Sequence, residues 1–160
     1  MFEADEDGIY ARVSASPARR VFAYGVLFGL GALLIYLPLV EPPAVLWAIA
    51  MVAAGVGSIM MAERLRRATL QEILLTKTDV RDSNGVVLAV LKDVRLVDRG
   101  AFAFKPSNGF TLVLDAKKPR AWAPGLWWRL GRRVGIGGVT SAAQAKFMAE
   151  QIAFRLGRDA

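Results

Sequence analysis

The 160-residue sequence contains no cysteine and no histidine. Without cysteine it has no disulfide, thiol nucleophile or thiolate metal ligand, and without histidine it lacks the side chain that most often acts as a general base near neutral pH. These absences exclude most hydrolase, oxidoreductase and zinc chemistry. We therefore expect a protein that is not an enzyme, with no catalytic residue, metal, cofactor or small-molecule substrate.

Formal charge is almost missing from a long internal segment. The 42 residues 21–62 contain one charged side chain, Glu41, which directly precedes two prolines. Residues 21–40 and 44–62 are each long enough, at about 1.5 Å per helical residue, to cross about 30 Å of hydrocarbon. The sequence therefore predicts a transmembrane helical hairpin with its turn at residues 41–43. A buried hairpin in a soluble core is the alternative, but neither segment has a polar face and too little chain remains to cover both.

Basic residues flank the predicted hairpin at its outer ends. Three arginines precede the first span, three follow the second, and the turn between the spans has none. By the positive-inside rule both termini are expected in the cytoplasm. This predicts a multi-pass protein of the bacterial inner membrane, with a cytoplasmic tail at residues 1–20 and a basic juxtamembrane linker at residues 63–69. The arginines are Arg12, Arg19, Arg20, Arg64, Arg66 and Arg67.

Small side chains recur at helical spacing in both predicted spans, and such residues let helix backbones approach closely in lipid. They either pack the two helices on each other or dock one face onto helices of another membrane protein. Neither span has an ionisable residue away from its ends, so a transporter or channel is not predicted. The candidate docking residues are Gly25, Gly29, Ala50, Ala54 and Gly57.

Short alternating segments replace the long apolar runs after residue 70. Asn84-Gly85 and Asn108-Gly109 lie between apolar segments, and Asn-Gly is a strong signal for a tight hairpin turn. Residues 101–105 and 110–114 are predicted to pair across the second turn. Residues 120–136 predict two further short strands joined by a tryptophan-rich loop. The region therefore predicts about seven short antiparallel strands.

A terminal amphipathic helix is predicted over residues 140–156. Ser141 and Gln144 fit a capping box, in which each satisfies a free backbone N–H of the first turn. Gly157 is the expected stop, since glycine favours the position after a helix. The buried face is predicted to consist of Ala145, Met148, Ala149, Ile152 and Leu156.

This strand order, the two Asn-Gly turns, the Trp/Arg run and the final helix resemble the bacterial pleckstrin-homology-like domains. Those domains are seven-stranded barrels capped by a C-terminal helix and often accompany transmembrane helices. The resemblance covers residues 70–156 and implies a small α+β domain at residues 70–160 that binds or scaffolds. Relatives that bind phosphoinositides carry a dense basic motif in the first hairpin, whereas Lys77 and Arg81 here have acidic neighbours.

The C-terminal region carries the positive charge of the chain. Residues 68–160 hold 15 basic and 8 acidic side chains. Several of the basic side chains cluster around three tryptophans, a pattern that favours contact with an anionic membrane surface or with a protein partner. The alternative is that the tryptophans belong to the core and the arginines to solvated strand faces. The candidate surface comprises Lys117, Lys118, Arg120, Trp122, Trp127, Trp128, Arg129, Arg132 and Arg133.

These features together predict a non-catalytic accessory, assembly or scaffold protein of a larger membrane complex. Its expected partners are membrane lipids and a membrane protein complex or further copies of itself. The alternative is a sensor that binds anionic lipid headgroups at the membrane surface. A membrane-tethered nucleic-acid-binding module is a minor alternative, because tryptophan and arginine also suit stacked bases and phosphates but no nucleic-acid motif accompanies them.

Overall fold

The structure, a computed structural model, describes residues 4–100 and 106–158. The predicted strand at residues 101–105 lies outside them. The described chain divides into two compact units, one formed by Pro17–Arg67 and the other by the residues on either side of that segment. We call the first unit the helical hairpin and the second the sheet domain. The sheet domain is therefore interrupted in sequence by the hairpin.

The helical hairpin consists of two helices of 24 residues each, α1 (Pro17–Val40) and α2 (Val45–Ala68). Both are long and apolar enough to cross a membrane, as the sequence predicts. α1 starts at a proline, whose fixed φ suits the first helical position. Large apolar side chains cover the surface, and Phe22 and Leu46, for example, are 74% and 78% exposed. Such a surface is unfavourable in water and suits hydrocarbon.

α2 continues through the segment predicted as a basic linker. Glu63 accepts hydrogen bonds from Arg66 at 2.8 Å and from Arg67 at 2.7 Å, each about one helical turn further along. These pairs support the helix beyond its apolar part. Residues 63–68 of the predicted linker are therefore helical.

The two helices of the hairpin meet at a pair of glycines. A Cβ atom at Gly31 would lie 2.7 Å from the carbonyl oxygen of Gly55, and one at Gly55 would lie 2.8 Å from the carbonyl oxygen of Gly31. Nearby, Ser58 Oγ donates a hydrogen bond to the carbonyl oxygen of Leu27 at 2.7 Å. Close backbone approach and interhelical hydrogen bonds are the means by which helices associate in lipid.

The first sheet of the sheet domain has four antiparallel strands, β1 to β4, in sequence order. They are β1 (Ala11–Val13), β2 (Ile73–Leu75), β3 (Asp79–Asp82) and β4 (Val87–Val90). Val13 lies opposite Ile73, so the strand before the hairpin pairs with the strand after it. The prediction of a tail at residues 1–20 is wrong for this segment, because Ala11 and Val13 are buried in the core.

The predicted turn at Asn84-Gly85 is confirmed. It joins β3 to β4, with Gly85 at a φ of 86° that favours glycine. Asp82 Oδ1 accepts hydrogen bonds from the backbone N–H groups of Asn84 at 3.0 Å and Val86 at 2.9 Å. The aspartate therefore stabilises the turn from the end of the strand.

The second sheet has three antiparallel strands, β5 (Val94–Asp98), β6 (Phe110–Ala123) and β7 (Trp127–Ile136). A short 3-10 turn, Leu91–Asp93, precedes β5. The prediction of several short strands in this region is wrong, since β6 and β7 run on for 14 and 10 residues. Register shifts around Lys118 let one long strand bend where the apolar alternation breaks.

The two sheets remain separate, so the described residues do not form the closed barrel that the resemblance implies. What the structure does contain is an apolar helical hairpin and a small antiparallel sheet domain with a C-terminal helix. One core cluster draws side chains from both sheets and from that helix, among them Leu88, Phe110 and Ile152.

The C-terminal helix, α3, spans Ala142–Arg158 and therefore continues through the predicted stop at Gly157. Gln144 does not close the predicted capping box. Its Oε1 accepts hydrogen bonds from the backbone N–H and Oγ of Ser14, at 2.9 Å and 3.0 Å. Further along, the guanidinium of Arg155 lies 3.8 Å from the centroid of the Tyr10 ring. α3 thus holds the segment that precedes the hairpin. Its buried face includes Ala145, Met148, Ala149 and Ile152, as predicted.

Candidate functional site

The nine residues of the predicted Trp/Arg surface all lie on the hairpin formed by β6 and β7. We call residues 115–133 the ribbon. Lys118 lies opposite Gly131 and Trp122 opposite Trp128. The nine residues therefore lie close together on one strand pair, but their side chains have different roles.

Two of the three tryptophans serve the packing of the domain. Trp127 is 4% exposed and belongs to the core. The indole of Trp128 lies over Gly135, where a Cβ atom would come within 2.6 Å of its Cζ2 atom. Gly135 is therefore the residue that admits this ring. The prediction that Trp127 belongs to a binding surface is wrong.

Two basic residues of the predicted surface make contacts inside the domain. Arg129 Nε donates a hydrogen bond to the carbonyl oxygen of Pro119 at 2.8 Å, and its Nη1 donates to that of Val87 at 2.8 Å. Val87 lies in β4, so Arg129 joins the ribbon to the edge of the first sheet. Lys118 Nζ pairs with Asp93 Oδ2 at 3.1 Å. Both residues therefore have a structural role in the ribbon.

The exposed members of the ribbon include one tryptophan, one leucine and four basic residues. Trp122 is 56% exposed and Leu130 is 52% exposed. Sequence reasoning missed Leu130. It lies two residues after Trp128 on the same strand, so recognising β7 as continuous would have placed both on one face. The exposed basic residues are Lys117, Arg120, Arg132 and Arg133.

A groove of about 590 Å³ opens between the exposed side chains of the ribbon. Arg120 and Trp122 lie two residues apart on β6, Trp128 and Leu130 lie two residues apart on β7, and Trp122 pairs with Trp128. All four line the groove. The groove can accept an apolar group beside an anion. It is lined by Arg120, Ala121, Trp122, Trp128, Arg129 and Leu130.

The basic residues of the first strand pair after α2 form no comparable surface. Arg81 donates hydrogen bonds to both carboxylate oxygens of Asp79, at 2.7 Å and 2.6 Å. These bonds hold the pKa of Asp79 below its ordinary value of 3.8, against the opposing effect of burial. Arg81 is therefore engaged within its own strand and does not project a free cation toward a phosphoinositide.

The predicted docking residues of the helical hairpin lie away from its glycine contact. A Cβ atom at Gly25, Gly29 or Gly57 would meet nothing within 4 Å. Ala50 and Ala54 are also exposed. The helices pack through Gly31 and Gly55 instead, so small residues do pack the two helices together, but the five residues predicted for docking are not the ones at that contact.

The chain matches no protein-family model, no curated protein and no solved structure in comparisons with all three. The chain combines an apolar two-helix hairpin with a small sheet domain. The hairpin is inserted in sequence between two neighbouring strands of that domain, and the sheet domain carries a basic groove with an exposed tryptophan.

Proposed function

We propose that this protein is a non-catalytic accessory or scaffold component of a larger complex in the bacterial inner membrane. α1 and α2 anchor it, and the sheet domain presents the ribbon in the cytoplasm. The observation that carries the proposal is the position of the anchor, which interrupts the sheet between the paired strands β1 and β2. An anchor inserted between two paired strands suits a protein that holds a binding surface close to a membrane.

Both connections between anchor and domain are short and hydrogen-bonded. Before α1, the Ser16 N–H donates to the carbonyl oxygen of Val139 at 2.8 Å. After α2, the Gln71 N–H donates to the carbonyl oxygen of Ala68 at 3.1 Å, and the Glu72 N–H donates to Ser83 Oγ at 3.2 Å. A module tethered to the membrane by short connections has a high effective concentration toward other components of the same membrane.

The pairing of β1 with β2 also supports a topology with both ends of the hairpin on one side. Two crossings return the chain to the side on which it started. The arginines that flank both helices favour the cytoplasmic side for those ends.

An open small-residue face supports docking within the membrane. Gly25 and Gly29 are spaced four residues apart on α1 and leave room for another helix backbone. In this proposal a helix of the partner complex packs there, while Gly31 and Gly55 keep the hairpin itself together.

Purification of the tagged full-length protein from native membranes in mild detergent tests the proposal. We expect a membrane protein to co-purify in stoichiometric amount. The double substitution of Gly25 and Gly29 by leucine should release it, because the added side chains block close helix approach. Val26→Phe is the control, since Val26 is 51% exposed on the same helix and adding bulk there leaves both glycines in place. Purification of the wild type without any stoichiometric partner would contradict the proposal.

A further inference from the structure

Apolar side chains border the groove of the ribbon. Trp128 is fixed over Gly135, and Trp122 and Leu130 remain about half exposed beside it. The resulting volume of about 590 Å³ is in the range of small-molecule sites, which are mostly apolar with a few polar groups. The groove is therefore suited to an elongated apolar group.

The charge of the ribbon restricts what can accompany that apolar group. Arg120 lines the groove, and Lys117, Arg132 and Arg133 are exposed along the same ribbon. Residues 115–133 include a single acidic side chain, Asp115. A ligand that complements this surface carries negative charge next to its apolar part.

An anionic phospholipid combines both properties and is present in the membrane to which the proposed anchor ties the domain. Indole rings favour the headgroup region, and basic residues near an anionic leaflet are attracted to it. We infer that the groove binds one anionic phospholipid, with Arg120 facing its phosphate and with Trp122 and Leu130 against its upper acyl chain. This inference rests on the membrane anchorage of the proposed function, but it does not require a partner complex.

Hydrogen–deuterium exchange on the full-length protein in nanodiscs tests the inference. One set of nanodiscs contains phosphatidylcholine alone, and the other includes increasing fractions of phosphatidylglycerol. We expect backbone exchange at residues 118–131 to slow as phosphatidylglycerol is added and to recover at high salt. Equal exchange in both sets overturns the inference. Successful incorporation into nanodiscs separates that result from a failure of anchorage.

Two substitutions test whether the groove itself is responsible. Arg120→Gln should raise the phosphatidylglycerol fraction needed for half of the protection about fivefold, the effect expected for one basic residue at an anionic surface. Trp122→Ala should abolish the protection. Arg95→Gln, which removes an exposed charge from β5 outside the groove, should leave it unchanged.

The controls decide between site binding and general attraction. If Arg95→Gln weakens protection as much as Arg120→Gln, the attraction is a property of net charge and the inference is wrong. If protection requires a co-purified protein and not phosphatidylglycerol, the groove binds protein and the inference is also wrong. Unchanged exchange in α3 shows that each variant is folded.

Discussion

Val13 lies directly opposite Ile73, with both side chains fully buried, although α1 and α2 separate them in sequence. The sheet domain is therefore complete only when the chain on both sides of the hairpin comes together. Ser14 and Tyr10 reinforce the connection through their contacts with α3. The hairpin occupies the place of a turn between two neighbouring strands.

The sheet domain should fold without its anchor, provided that β1 is retained. We expect replacement of residues 17–67 by a short glycine-serine linker to give a soluble, cooperatively folded protein. A fragment that starts at residue 68 should be less stable, because burial of Val13 alone contributes about 2 kcal/mol. Thermal unfolding followed by circular dichroism compares the two. Equal stability of both proteins would show that β1 is dispensable.

Gly135 should tolerate no side chain while Trp128 is present. Gly135→Ala places a methyl group in the indole ring, and overpacking of this kind costs about 1–3 kcal/mol. In a Trp128→Ala background the same substitution should have little effect, because the ring is gone. Denaturant unfolding of the wild type, the two single variants and the double variant measures the coupling free energy between the two positions. An additive result would mean that Trp128 does not lie over Gly135.

Arg129 should contribute to the stability of the sheet domain through its hydrogen bonds to two backbone carbonyl oxygens. Arg129→Ala removes the donor to the carbonyl oxygens of Val87 and Pro119. Because these hydrogen bonds are exposed to solvent, we expect a loss of about 0.5–1.5 kcal/mol in the free energy of unfolding. Arg132→Ala removes an exposed arginine from the same strand and should change stability by less than about 0.5 kcal/mol. Chemical denaturation followed by tryptophan fluorescence makes the comparison. Similar effects of both substitutions would contradict the assignment.

Acid should destabilise the sheet domain partly through Asp79. Its pKa is lower in the folded protein than its ordinary value of 3.8, chiefly through the hydrogen bonds from Arg81. The stabilisation is therefore present above that ordinary value and is lost as the pH falls through the lower, folded-state pKa. Asp79→Asn should flatten this part of the dependence of unfolding free energy on pH. Asp115→Asn, at an exposed position, is the matched control.

The sequence was sufficient to predict the elements that depend on local pattern. The charge-free apolar runs predict α1 and α2, Asn84-Gly85 predicts a hairpin turn, and the apolar stripe predicts α3. Contacts between distant segments were not predictable in this way. Ala11-Arg12-Val13 is too short to stand out as a strand, and it becomes one only by pairing with β2.

The candidate site was predictable in position but not in the roles of its residues. Clustering of tryptophan and arginine located the ribbon. Which of its side chains are exposed depends on the register shifts around Lys118 and on the positive φ of Gly131. These irregularities change which residues of β6 and β7 face solvent. Leu130 follows from continuing the alternation of β7 beyond Trp128. Gly135 gave no signal in sequence, because its importance lies in its contact with the Trp128 ring.

Disulfide formation between cysteines at positions 12 and 74 tests the central claim most directly. The natural chain has no cysteine, so Arg12→Cys and Leu74→Cys supply the only thiols, at positions that lie opposite each other in β1 and β2. A protease site in the turn at residues 41–43 makes the bond visible as two fragments that stay joined until reduction. We predict that a mild oxidant such as copper phenanthroline, added to isolated native membranes, accepts the two electrons of the paired thiols and forms the bond. We also predict that an impermeant thiol reagent labels the reduced pair only from the cytoplasmic side. Fragments that separate without reduction, or labelling from outside, would contradict the account.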